Sequence, residues 1–160
     1  RLINMTNKPK YFVLDVDGVL STGQFLYSDE GKVYKVFGAH DSDGLNLIKD
    51  SFNIMFITAD KRGFEISKKR VSDMGYEISL VPSSERMSFI ESLNFMEVIF
   101  MGDSYYDAEV FNHVNYAIAP KNARAEALNN ADYVTESKAG EGAVMDACIH
   151  IMKKYLDKHN

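Results

Sequence analysis

The chain has one cysteine, Cys148, in 160 residues. No internal disulfide can form, which fits a reducing compartment, and a cytoplasmic location is expected. Cys148 lies in a helical apolar pattern and reads as core. Basic residues form no stripe, and the net charge is −5. That argues against a nucleic-acid partner but leaves phosphorylated small molecules open. No apolar run reaches the length of a membrane span, and the N-terminal segment lacks the apolar region of a secretion signal. Repeats and low-complexity tracts are absent as well. What remains is an ordinary globular composition, 46% hydrophobic, at a length that suits one domain with a substantial core. Residues 1–9 read as a tag remnant, a linker from a longer polypeptide or a leader before a start at Met5, and 10–160 as the domain.

Strand and helix signals alternate along the chain, which predicts an α/β fold: a Rossmann-like parallel sheet with helices on both faces. Strands are expected at 11–15, 53–58, 77–81, 97–101, 114–118 and 132–134. Helices are expected at 43–50, 61–74, 84–93, 105–112, 122–128 and 141–157. In the last, Ala143, Val144, Ala147, Cys148, Ile151, Met152 and Tyr155 share one face, and Lys153, Lys154 and Lys158 complement its dipole. One segment breaks the alternation. Residues 23–37 read as a β-hairpin around a four-residue loop, Ser28-Asp29-Glu30-Gly31. Its Phe25, Tyr27, Val33, Val36 and Phe37 exceed what an isolated hairpin can bury, so they must pack on this domain or on another subunit.

Residues 11–18, Tyr-Phe-Val-Leu-Asp-Val-Asp-Gly, are a continuous apolar run ending in two carboxylates. Such a run suits a strand buried on both faces, and its C-terminal end lies where open α/β sheets bind ligands. One carboxylate there can attack phosphorus while the other moves a proton, with a divalent cation held by the same hard oxygens. Asp15 is the candidate nucleophile and Asp17 the candidate acid and base; the plainer reading is two solvated turn aspartates. Calcium loops open with the same string but want an oxygen ligand and then glycine where this chain has Val19 and Leu20. Thr58 ends a second strand and can donate to a phosphate oxygen, with the next backbone N–H, that of Ala59, beside it, or else can cap the following helix. Arg86 opens a helix as a phosphate partner or a surface cation. Asp103 and Asp107 follow the strand Val-Ile-Phe-Met in a Gly-Asp-x-x-x-Asp string, with an N-cap as the plain alternative for Asp103. Together the four strand ends carry, in order, D-x-D-G, Thr, a cation and G-D-x-x-x-D, all at one edge of the sheet.

That order resembles the haloacid dehalogenase superfamily of phosphotransferases over the chain from about Tyr11 to the last helix. Residues 14–23, the hairpin, 37–45 and 138–144 resemble, more narrowly, the capless 3-deoxy-D-manno-octulosonate 8-phosphate phosphatases and the phosphatase-like domains attached to some acylneuraminate cytidylyltransferases. The resemblance implies a haloacid-dehalogenase-type fold with a hairpin after the first strand and no separate cap domain. It implies a phosphatase for a small phosphorylated sugar or sugar acid, of the octulosonate 8-phosphate or nonulosonate 9-phosphate type. Asp15 would form an aspartyl-phosphate, and Asp17 would protonate the leaving oxygen and then activate water. Mg2+ would be held by Asp15, the Asp17 backbone carbonyl and Asp103, with Asp107 in support. Thr58 and Arg86 would bind the phosphoryl group, and Gly18 and Ala59 complete the substrate-binding set. The family usually has lysine where this chain has Arg86, a planar fork in place of a point charge.

Two further departures put an acid where the octulosonate phosphatases carry a cation: Asp60, after Thr58-Ala59, and Glu141, between Gly140 and Gly142. Both are expected to line the site and to disfavour an anionic sugar acid, with Lys61, Arg62 and Lys138 near in sequence as partial substitutes. The resemblance implies a homotetramer formed through the hairpin. The alternative, from another class, is a phosphatase-like assembly domain with weak or no turnover, associated with a sugar-acid cytidylyltransferase. A phospho-acceptor signalling domain fits poorly, because such domains place the acceptor on a later, central strand.

Overall fold

The computed structural model describes residues 8–157. The strands are β1 (Tyr11–Asp15), β2 (Ser21–Ser28), β3 (Gly31–Phe37), β4 (Asn53–Thr58), β5 (Ile78–Leu80), β6 (Val98–Met101), β7 (Tyr116–Ala119) and β8 (Tyr133–Val134). The α-helices are α1 (His40–Ile48), α2 (Phe64–Asp73), α3 (Arg86–Ser92), α4 (Asp107–Phe111), α5 (Ala125–Asn130) and α6 (Ala143–Ile151). Six strands make one parallel sheet in the order β5-β4-β1-β6-β7-β8, and β2 pairs with β3 as a separate antiparallel ribbon.

Why β1 is central follows from its residues. Phe12 to Leu14 are fully buried, so the strand needs cover on both faces. Phe12 and Leu14 join a cluster with Leu45 of α1, Val71 of α2 and Cys148 of α6. Val13 joins the opposite cluster with Ile90 of α3, Val110 of α4 and Ala127 of α5. The chain runs from β1 outward through β4 and β5, then crosses back to place β6 on the other side of β1. The strand order reverses there, and in open α/β sheets the crevice at that reversal is where ligands bind. This is the Rossmann-like parallel sheet that the alternation of elements predicts, and no cap domain interrupts it among the described residues.

Several boundaries differ from expectation for local reasons. The helix expected over 61–74 begins only at Phe64, because the Gly63 N–H donates to Asp60 Oδ1 at 3.2 Å and the chain turns first. α1 starts earlier than expected, at His40. The last helix ends in a π-turn at Met152–Leu156. Lys158, and most of the tail expected over 1–9, lie outside the described residues. The hairpin loop is tighter than the expected four residues: Ser28 pairs with Gly31, so only Asp29 and Glu30 connect the strands. Gly31 supplies the positive φ, +118°, that this connection requires. No helix among the described residues is long and apolar enough to cross a membrane.

Candidate active site

The C-terminal ends of β1 and β6 deliver Asp15 and Asp103 to the same point, and the first turn of α4 adds Asp107. One carboxylate oxygen from each lies within 4.8 Å of the others. Asp15 is buried, and its Oδ1 accepts the Val16 N–H at 2.8 Å. Gly18 makes the approach possible. Its φ is +81°, and a Cβ built there would lie 1.9 Å from Asp103 Oδ2. Only glycine serves at that position, for conformation and for space.

Arg86 is not a surface cation. It is buried, with Nη1 2.6 Å from Asp107 Oδ1 and 3.4 Å from Asp15 Oδ2, and Nη2 3.4 Å from Asp15 Oδ1. Asp107 spends its other oxygen on the N–H groups of Asp103 and Ser104, both at 3.0 Å. Asp107 therefore clamps the β6–α4 loop and Arg86 together, while Asp15 and Asp103 keep free lone pairs. Helix α4 starts at Asp107 and it is Ser104 Oγ that accepts the Asp107 N–H, at 3.2 Å, so Asp103 is no helix cap. Nor does Thr58 cap α2. It is buried, and its Oγ1 accepts the Asp60 N–H at 3.1 Å.

The electrostatics follow from this crowding. Burial pushes Asp15 above the ordinary carboxylate range against the pull of Arg86, and Asp107 adds to the push. Burial and then the charges of Asp15 and Asp107 raise Asp103 likewise. Carboxylates held this close without enough positive charge favour protonation, and a divalent cation among them reverses that preference. Hard, closely set carboxylate oxygens are the donor set that magnesium takes, so the residues fit the metal.

Asp17 stands apart from the cluster and half-exposed. Its carboxylate lies 2.9 Å from Lys35 Nζ, and Ser21 Oγ donates to it at 3.4 Å. Lys35 escaped the sequence reading. It is buried in β3, and it also lies 2.8 Å from Asp60 Oδ2. Asp60 pairs with Lys32 as well, at 2.8 Å. Against its partial burial, hydrogen bonds from the two lysines hold Asp60 down at about 2. The expected partial substitutes for a cation at this position were Lys61, Arg62 and Lys138, but the cations that meet Asp60 are Lys32 and Lys35 of the hairpin. Ala59 is half-buried beside it, and Glu141 is exposed. The loop carrying Glu141 packs on the foot of the hairpin, since a Cβ on Gly140 would meet Thr22 at 2.6 Å. The only sequence signal for Lys35 was a lone lysine in the run Val-Tyr-Lys-Val-Phe.

Comparison with known proteins agrees with this geometry. Residues 82–147 match the model of the haloacid dehalogenase-like hydrolases. The 3-deoxy-D-manno-octulosonate 8-phosphate phosphatase of Yersinia pestis is 28% identical, over 87% of this chain and 77% of its own. The same enzyme from Escherichia coli K12 is 27% identical over the same shares. The Moraxella catarrhalis enzyme, solved with magnesium, phosphate and 3-deoxy-octulosonate, superposes with a TM-score of 0.74 at 26% identity, covering 91% of this chain and 87% of that one. Kinship along most of the length, joined to a sheet that gathers its aspartates at the reversal of strand order, makes the chain similar in sequence and in fold to the haloacid dehalogenase-type phosphatases.

Proposed function

We propose that the protein hydrolyses the phosphate monoester of a small sugar acid, of the 3-deoxy-octulosonate 8-phosphate or nonulosonate 9-phosphate type. The observation that carries this reading is the convergence of Asp15, Asp103 and Asp107 on one point with Arg86 among them. Asp15 attacks phosphorus. As its oxygen bonds to phosphorus, the bond to the sugar oxygen breaks, and Asp17 gives that oxygen its proton. Asp17 then takes a proton from water, which attacks the aspartyl-phosphate, releases phosphate and restores Asp15. Thr58 Oγ1, the Ala59 N–H and the Arg86 guanidinium hold the phosphoryl oxygens, and Gly18 leaves the mouth open beside them. Asp15, the Asp17 backbone carbonyl and Asp103 would hold magnesium, with Asp107 behind them, and its charge would offset the repulsion between carboxylate and phosphate.

The sugar-acid substrate is supported by the relatives' shared activity and by the pairing of Asp60, which leaves no free acid at that position. The apolar outer face of the hairpin supports self-association, as a tetramer. The deciding experiment measures phosphate release from a panel of sugar phosphates with magnesium. Octulosonate 8-phosphate or a nonulosonate 9-phosphate is expected to lead the panel. Asp15→Asn is expected to abolish turnover with the fold intact. A variant retaining more than a few per cent of activity would remove Asp15 as nucleophile.

A further inference from the structure

The hairpin is built inside out. In β3, Val33, Tyr34 and Val36 face solvent while Lys35 is buried. A ribbon lying on a domain ordinarily turns apolar side chains inward and leaves charges in water. Burying an ammonium is unfavourable unless its N–H bonds are accepted, and it has three to place. Here two acceptors, Asp17 and Ser67, take its N–H groups, and Asp60 adds an ion pair. Lys35 Nζ lies 2.9 Å from the Asp17 carboxylate, 2.8 Å from Asp60 Oδ2 and 2.9 Å from Ser67 Oγ. They come from the β1 loop, the β4 loop and α2. Gly63 leaves room for the head group, since a Cβ there would lie 2.7 Å from Lys35 Cε and 2.4 Å from Asp60 Oδ2. Asp60 is fixed in turn by Lys32 at 2.8 Å and by the Gly63 N–H at 3.2 Å.

Asp17 has no comparable anchor. It lies beyond the last residue of β1, and its other side-chain partner, Ser21 Oγ, sits at a long 3.4 Å. We propose that Lys35 is a positioning residue, whose ammonium, held by Asp60 and Ser67, aims the Asp17 carboxyl group at the leaving oxygen. This rests on the reading of Asp17 as acid and base. It also gives Asp60 a task. The acid that stands where the octulosonate phosphatases have arginine holds the lysine that holds Asp17.

Leaving-group dependence tests this in the magnesium-loaded full chain. The oxygen expelled from p-nitrophenyl phosphate needs little protonation, whereas the alkoxide expelled from octulosonate 8-phosphate must receive a proton. The readout is alcohol release in a single turnover, which reports only the first chemical step. Lys35→Met is expected to slow release from octulosonate 8-phosphate about 100-fold and from p-nitrophenyl phosphate no more than about fivefold, with half-saturation little changed. Asp17→Asn is expected to show the same selectivity, and adding Lys35→Met to it should cost nothing further. Equal losses on both esters, or a loss confined to half-saturation, would overturn the proposal. If Asp17→Asn leaves octulosonate release intact, the reading of Asp17 falls. If Asp17→Asn slows it and Lys35→Met does not, the positioning role alone falls. No release of either ester by the unmodified protein overturns both. Should Lys35→Met fail to show a cooperative melt, Lys35→Arg decides: it keeps the charge but not the compact geometry of the ammonium among Asp17, Asp60 and Ser67, and a selective loss of about tenfold is expected. Absence of selectivity in that variant overturns the proposal equally.

Discussion

Gly18 has no side chain, and its neighbours leave no room for one. A methyl group there would collide with Asp103 Oδ2, and the positive φ adds strain of about 1 kcal/mol for any L-residue. Gly18→Ala should push the Asp103 carboxylate away from Asp15 while the sheet beneath stays folded. The expected result is magnesium affinity lowered about tenfold or more, read by titration calorimetry, with only a small drop in melting temperature. Unchanged affinity would mean that Asp103 is not a ligand. At this scale the sequence was most legible where chemistry is local. Asp15, Asp17 and Asp103 sit at strand ends whose apolar runs announce them. The pairing of Asp60 was not legible, because Lys32 and Lys35 approach it only once the hairpin folds back over the β4 loop. The same limit hid the burial of Arg86, which depends on Asp15 and Asp107 arriving from two other elements.

Among the elements, α1 and α6 are tied by a buried carboxylate. Asp41 of α1 is fully buried, and its Oδ1 accepts the N–H of Met145 in the first turn of α6 at 3.3 Å. Burial outweighs the backbone hydrogen bond and the charges of Arg70 and His40, and raises Asp41 from 3.8 to about 6. A carboxyl group raised in the folded state favours folding below its unfolded pKa, and that contribution is lost as pH climbs through the folded value. Asp41 should therefore cost the protein about 2–3 kcal/mol between pH 4 and pH 7. Asp41→Asn keeps an oxygen for Met145 and cannot ionise. Its stability in urea should match the parent near pH 4 and exceed it near pH 7. A variant less stable at both values would show that the charge itself is needed. The existence and order of these elements were readable from alternating patterns, but their ends were not. Helix α2 starts late because Asp60 and Gly63 form a turn first, a choice made by one side-chain hydrogen bond.

For the whole molecule, the outward face of the hairpin is its exposed apolar surface of interest. Leu26, Tyr27, Tyr34 and Val36 are 62%, 61%, 64% and 52% exposed, more apolar surface than one ribbon ordinarily leaves in water. Light scattering at micromolar concentration is expected to give a tetramer, and Tyr34→Glu should shift it toward smaller species. A strict monomer would remove the hairpin as an interface. The topology has another consequence, in time. β1 is apolar on both faces, and its two neighbours are β4 and β6. During synthesis β4 follows soon, but β6 begins only at Val98. At 5–20 residues per second the ribosome needs roughly 4–17 s to pass from Asp15 to Val98. For that interval one edge of this apolar strand has no partner, and an unpaired edge invites pairing with another chain. The strand that ends in Asp15 is thus a vulnerable part of the nascent chain, and a ribosome stalled before Val98 would release a fragment prone to aggregate and lacking Asp103 and Asp107.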